Sequence, residues 1–182
     1  STNKKDFSIL ILGGSQGAEI FGEIVPPSIK MLKDKGYNIK INQQCTEIQK
    51  LYLRDFYSKN NIENNIFNFS NDVVKLMSSS DLAISRSGAS TTAELVNTLT
   101  PFIAVPYPNS IDDHQYYNAQ YYKNQGCCWV INQEKFTSEN LYNFLVDIIN
   151  NKKKLENIRI SMKKNDSKDV YKRIYKLIKE LI

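Results

Sequence analysis

The chain alternates short apolar runs with longer stretches in which apolar residues recur every three or four positions. Residues 7–12 (FSILIL) form the first apolar run and end on Gly13-Gly14, the pattern of a buried strand leaving a sheet. Residues 18–33 then carry Ile20, Ile24, Ile29 and Leu32 at helical spacing, with Pro26-Pro27 predicting a kink or a restart. The same reading predicts strands over 37–42, 65–69, 82–84, 102–105 and 128–131. Helices are predicted over 46–59, 72–79, from about Thr91, and over 114–124, 138–149, after Lys152, and 169–182.

Strands alternating with helices at this spacing specify an α/β fold. The expectation is a Rossmann-like parallel sheet of about six strands with helices on both faces, in one domain over 1–182. In such sheets ligands sit beyond the carboxyl ends of the strands. Four loops therefore draw attention: those after Leu12, Phe69, Ile84 and Val105.

Bulk properties narrow the class. The chain has 182 residues, 41% hydrophobic and 24% charged, enough for a substantial core. It has no apolar run of membrane-spanning length and no signal peptide. Three cysteines, two of them adjacent, make no disulfide framework, and a single histidine makes a Cys/His zinc site a poor fit. Reducing cytoplasm is the expected compartment. The chain opens on Ser1-Thr2-Asn3 without an initiator Met, which suggests a piece of a longer polypeptide. The net charge of +5 is uneven, with eleven Lys and Arg against four Asp and Glu over 151–182. Such a tail is a solvated helix face or a surface for anionic lipid. Nucleic acid is not expected, because no recognition motif accompanies the lysines and the aromatics do not cluster with them.

The loops carry the chemistry. In Gly13-Gly14-Ser15-Gln16-Gly17-Ala18 the glycines let backbone N–H groups approach an anion, and a helix N-terminus favours negative charge. The same residues match G-x-S-x-G, the nucleophile elbow of α/β hydrolases. Against that reading, Ser15 follows the first strand and the only candidate base is His114. Ser85-Arg86-Ser87-Gly88-Ala89-Ser90-Thr91-Thr92 is a second small polar loop. Glu94, three residues beyond Thr91, reads from spacing as a capping-box partner, and its carboxylate could equally accept from a vicinal diol. Gln115 and Asn118 share one side of a helix start and could bond two hexose hydroxyls. Asp112 or Asp113 reads as an N-cap ahead of a metal or acid/base pair. His114 is a ligand contact, a cap or a surface residue.

GGSQGA at 13–18, SRSGASTTAE at 85–94 and DDHQYYNA at 112–119, in this order, resemble the MurG family of transferases, part of glycosyltransferase family 28. That resemblance covers essentially the whole chain. It implies the C-terminal, donor-binding half of a GT-B enzyme that moves N-acetylglucosamine from UDP-GlcNAc onto lipid I, with inversion and without a metal or other cofactor. It further implies that the loop of Gly14, Ser15, Gln16 and Gly17 contacts the diphosphate. Ser70 would pair with uracil through its backbone, with Phe69 and Val73 lining the base pocket. Glu94 would hold the ribose diol, and Arg86, Ser87, Gly88 and Ala89 would approach the diphosphate and sugar. His114, Gln115 and Asn118 would read the GlcNAc. The acceptor domain and the catalytic base would belong to another, N-terminal half, so this chain alone would bind without catalysing. A stand-alone donor subunit working with a membrane-bound partner is the alternative. The family implies a peripheral position on the inner face of the bacterial plasma membrane. Leu177, Ile178, Leu181 and Ile182 would mark a seam with the N-terminal half.

Overall fold

The computed structural model describes residues 6–165, except for the side chains of residues 15–18. The predicted 169–182 helix and its apolar seam lie outside the described residues. Six strands are formed by β1 (Phe7–Leu12), β2 (Ile39–Gln44), β3 (Glu63–Phe67), β4 (Leu82–Ser85), β5 (Phe102–Ala104) and β6 (Cys128–Val130). Between and after them come α1 (Gly14–Asp34), α2 (Glu47–Lys59), α3 (Val73–Ser79), α4 (Ala89–Asn97), α5 (His114–Asn124), α6 (Ser138–Asn150) and α7 (Lys152–Lys164).

The strands pair in the order β3-β2-β1-β4-β5-β6, every pairing parallel. Such a sheet requires both faces to be covered, and its central strands read as near-continuous apolar runs. β1 and β4 obey this: Ile9, Leu10 and Ile11 pair with Leu82, Ala83 and Ile84, and all six are fully buried. One face packs Phe21, Val25, Ile29 and Leu32 of α1, Leu53 and Tyr57 of α2, and Leu141, Leu145 and Ile148 of α6. The other packs Met77, Leu95, Val96, Ala119, Ile158 and Met162 from α3, α4, α5 and α7. The connections run one way from β1 to β3 and the other way from β4 to β6. A crevice therefore opens at the carboxyl ends of β1 and β4.

Several boundaries differ from the sequence reading. α1 begins at Gly14, so the glycine motif is its first turn and not a free loop. It also runs unbroken through Pro26-Pro27. Those prolines deny N–H groups to Gly22 and Glu23, and the next carbonyl, of Ile24, accepts from Ser28 Oγ (2.7 Å) and from Ser138 Oγ (3.2 Å) of α6. The bent segment is thus stapled to its neighbour. β2 lies two residues later, and β3 two residues earlier, than the alternation suggested. The capping box is absent. Gly88 is the N-cap of α4, which places Thr91 and Glu94 inside the helix, with Glu94 exposed. Neither aspartate before α5 caps it with a side chain; Asp112 (φ 49°) and Asp113 (φ 52°) are instead two consecutive left-handed residues.

Candidate functional site

The site is built from the carboxyl edge of the sheet upward. β1 delivers the chain to Gly14, whose φ of +63° lies in the left-handed region. No atom would crowd a Cβ there, so the requirement for glycine is conformational. The first four N–H groups of any helix have no acceptor within it. In α1 these belong to Gly14, Ser15, Gln16 and Gly17, and they face the crevice end of the helix axis. The Gly14 N–H is met by Gln44 Oε1 at 3.3 Å, from the end of β2.

From β3 the chain passes through Asn68, Phe69 and Ser70 into α3. Phe69 is 77% exposed, a large ring left on the surface after the edge strand β3. Val73 opens α3 half-buried against the second core. Ser70 Oγ accepts from the Asp72 N–H at 3.1 Å, holding the turn.

The exit of β4 is held most tightly. Ser87 is fully buried; its N–H donates to Gln115 Oε1 (3.3 Å) and its hydroxyl to Gln115 O (2.7 Å). Gln115 Oε1 also accepts from the Tyr107 N–H at 3.0 Å. Asn118, one turn along α5, donates from Nδ2 to Ser87 O (2.7 Å) and to Thr92 Oγ1 (2.9 Å). The two amides thus lock the connections after β4 and β5 together with one end each. Among the described residues, Gln115 Nε2 and Asn118 Oδ1 have no internal partner, leaving one donor and one acceptor. Gly88 and Ala89, the N-cap and first residue of α4, sit partly or fully exposed above this network.

Arg86 does something else. Its side chain turns down into the rim, where Nη1 donates to the carbonyls of Val105 (3.1 Å) and Pro106 (3.2 Å) and Nη2 to Gln133 Oε1 (2.6 Å). The guanidinium carbon lies 5.2 Å from the Phe21 ring centroid and 5.3 Å from that of Tyr107. Loss of water pushes its pKa below the ordinary arginine value. It has no carboxylate partner among the described residues. Its hydrogen bonds tie the rim together, and the Arg86 N–H anchors β4 to β1 through Leu12 O (3.1 Å). Beside it a cavity of about 610 Å³ opens between Ile20, Tyr107, Tyr116 and Gln133.

Glu94 is exposed on α4, and among the described residues its carboxylate has no hydrogen-bond or ion-pair partner. His114 is exposed, with Nδ1 2.8 Å from Ile111 O in its own turn. It takes no part in the network of Gln115, Ser87 and Asn118. The side chains of Ser15 and Gln16 lie outside the described residues. Sequence reasoning missed Gln44, Thr92, Tyr107 and Gln133. Thr92 and Tyr107 lie in stretches already singled out, whereas Gln44 and Gln133 lie at the exits of β2 and β6, which were not.

The chain was compared with known proteins. The family profile "Glycosyltransferase family 28 C-terminal domain" matches residues 8–174. A protein of Pelagibacter ubique named UDP-N-acetylglucosamine--N-acetylmuramyl-(pentapeptide) pyrophosphoryl-undecaprenol N-acetylglucosamine transferase is 43% identical over 157 residues, covering 82% of this chain and 44% of that protein. One of the same name from Rickettsia bellii is 39% identical over 184 residues, covering 99% and 51%. The crystal structure of Acinetobacter baumannii MurG superposes with a TM-score of 0.79 at 29% identity, over 95% of this chain and 50% of that one. The chain spans about half the length of the curated relatives it matches. With a six-stranded parallel sheet, its crevice at the β1/β4 switch point and a family match over nearly its whole length, the chain belongs to glycosyltransferase family 28 as a C-terminal domain.

Proposed function

We propose that this chain is the donor-binding half of an inverting transferase that takes N-acetylglucosamine from UDP-GlcNAc to an undecaprenol-linked N-acetylmuramyl-pentapeptide, the acceptor also called lipid I. What supports the reading is that a helix N-terminus and a half-used pair of amides follow the carboxyl ends of the parallel strands, with an unpartnered, exposed carboxylate on α4. Each suits one part of a nucleotide sugar. The N–H groups of Ser15, Gln16 and Gly17, in the turn that Gly14 opens and Gln44 holds, would receive the diphosphate, where an aligned helix stabilises negative charge. Glu94 would accept from both ribose hydroxyls. Gln115 Nε2 and Asn118 Oδ1 offer a donor and an acceptor to the hexose, over the backbone of Ser87, Gly88 and Ala89. Phe69, Ser70 and Val73 would hold the uracil. His114, with Nδ1 held at Ile111 O, would offer Nε2 to the sugar. Arg86 supports the rim and adds positive potential behind it.

The chemistry follows from charge development. As the acceptor hydroxyl attacks the anomeric carbon in line, negative charge grows on the departing diphosphate. Preorganised amides aimed there stabilise the transition state more than the ground state. The chain brings no acceptor, which the other half of the enzyme would hold together with the base. Domain bounds of 1–182 and isolated activity limited to binding belong to the same proposal. No helix among the described residues is long and apolar enough to cross a membrane. The basic tail suits a peripheral position at an anionic bilayer.

Calorimetric titration with UDP-GlcNAc, UDP-glucose and UDP, each with and without EDTA, tests the proposal. It is supported by preference for the N-acetylglucosamine donor, insensitive to EDTA. Equal affinity for the two sugar nucleotides would remove the hexose assignment, and binding lost in EDTA would remove the metal-free mechanism.

A further inference from the structure

Gln44 is the last residue of β2, the strand lying between β1 and β3 in the sheet. Both ends of its side-chain amide are engaged, and with different loops. Oε1 accepts from the Gly14 N–H at 3.3 Å, in the first turn of α1. Nε2 donates to Asn68 O at 3.1 Å, in the segment that carries Phe69 and Ser70. Asn68 returns the contact, donating from Nδ2 to Cys45 O at 3.2 Å, and the Cys45 N–H donates to Phe67 O at 2.9 Å. Neighbouring strands are spaced by about 4.8 Å, so loops leaving β1 and β3 stand roughly two such spacings apart. A side chain at the end of the middle strand can touch both. An amide is the neutral group that offers an acceptor to one and a donor to the other.

We infer that Gln44 is a positioning residue that fixes the distance between the diphosphate end and the base end of the donor nucleotide. This rests on the functional reading above, in which the first turn of α1 takes the diphosphate and the segment after β3 takes the uracil. A nucleoside diphosphate is a rigid enough spacer that its two ends gain from being received at one set separation. Each loop could drift alone and still accept its own fragment. Only a ligand joining both registers the drift. Gln44 therefore acts on the joined ligand and is nearly silent towards the parts.

That distinction gives a test that a merely structural role would not pass. This chain and its Gln44→Met and Gln44→Glu variants are titrated with UDP, with uridine and with inorganic pyrophosphate, followed by backbone-amide chemical shifts and carried to saturation. Gln44→Met keeps length and bulk while removing both hydrogen bonds. Gln44→Glu keeps the acceptor towards Gly14 and loses the donor towards Asn68. The expected result for Gln44→Met is a loss of about tenfold in UDP affinity, the scale of one or two neutral hydrogen bonds, with uridine and pyrophosphate each changed by less than about twofold. Gln44→Glu should bind uridine like the unaltered chain and lose both UDP and pyrophosphate, because its carboxylate faces the same amides. Equal losses for UDP and both fragments, or no loss for UDP, would overturn the inference while leaving the donor-domain reading standing. An unaltered chain that binds uridine and UDP no better than pyrophosphate would overturn that reading and the inference with it. Amide shifts away from 14 and 68 report whether the variants keep the fold.

Discussion

In the proposed donor site Gln115 has two roles that two substitutions can tell apart. Its Oε1 accepts from the N–H groups of Ser87 and Tyr107, while Nε2 would serve the sugar. Gln115→Ala strips the acceptor from two partly buried backbone donors. A net hydrogen bond is worth about 1 kcal/mol and a stranded buried donor costs about 1–3 kcal/mol, so the variant should lose about 2–3 kcal/mol. In a domain of this size that lowers Tm by roughly 5–10 °C. It should also loosen the rim and weaken UDP, and weaken UDP-GlcNAc further, because Nε2 is lost with the rest of the amide. Gln115→Glu keeps an oxygen at the acceptor position and strengthens it by charge, but offers the sugar no donor. Its Tm should stay within about 3 °C of the unaltered chain, while the ratio of UDP-GlcNAc to UDP affinity falls about tenfold. Thermal melts combined with calorimetry on both ligands decide the matter. If Gln115→Glu lowers the two affinities by the same factor, the hexose is not read by Nε2. If Gln115→Ala melts like the unaltered chain, the two accepted hydrogen bonds do not hold the rim.

Glu94→Ala should weaken UDP by about 1–3 kcal/mol and leave 2′-deoxy-UDP much less affected. Its Tm should not move, because the carboxylate caps nothing; a loss shared equally by both nucleotides would deny the ribose contact. At Gly22 a Cβ would lie 2.3 Å from Gln49 Nε2, which donates to Glu19 O at 3.0 Å. Gly22→Ala should therefore be more favourable by about 1 kcal/mol in a Gln49→Ala background than alone, and additive melts would contradict the close approach. Burial raises the thiol pKa of Cys45, of Cys127 and of Cys128, the last to about 12 from an ordinary 9.0. Between those values the unfolded chain sheds protons that the folded one keeps. Stability should be intact below about pH 9 and fall as pH rises above it. Melts at pH 7.5 and 10 should show the fall, and Cys128→Ala should flatten it.

Where one signal dominated, the pattern of residues was enough. β1 lies over residues 7–12 as read, since an apolar run ended by two glycines has few alternatives, and α5 begins at His114 and ends at Asn124 as read. β3 was displaced because it is an edge strand, Glu-Asn-Asn-Ile-Phe, whose polar half carries no alternation. α1 was begun too late because Gly14 was read as loop, whereas a single left-handed residue turns the strand directly into the helix. Thr91 and Glu94 have the spacing of a capping box, yet the helix starts two residues before Thr91, at Ala89; spacing alone does not say which turn is first. In the site, the three small polar loops were legible as chemistry and their mutual bonding was not. Ser87 is bonded to Gln115 across 28 residues, and Gln44 to Gly14 and Asn68 across 30 and 24. Such pairs exist only once the sheet order is known. The family resemblance implied that Arg86 approaches the ligand, but its guanidinium is turned inward to main-chain carbonyls.

The inward turn of Arg86 has a consequence for how the chain comes together. Its partners are Phe21, Val105, Pro106, Tyr107 and Gln133, a span of most of the described sequence. Until β5 is in register and the turn after β6 has arrived, the guanidinium has neither its carbonyls nor its amide. Burying it earlier would strand a charge in an apolar setting. The guanidinium is therefore satisfied only when α1, the exit of β5 and the turn after β6 are all in place, with the Phe21 and Tyr107 rings beside it. A polypeptide cut before residue 133 would leave Nη2 without its Gln133 acceptor, while the Val105 and Pro106 carbonyls remained. One side chain thus couples the stability of the carboxyl edge to segments from both ends of the described sequence.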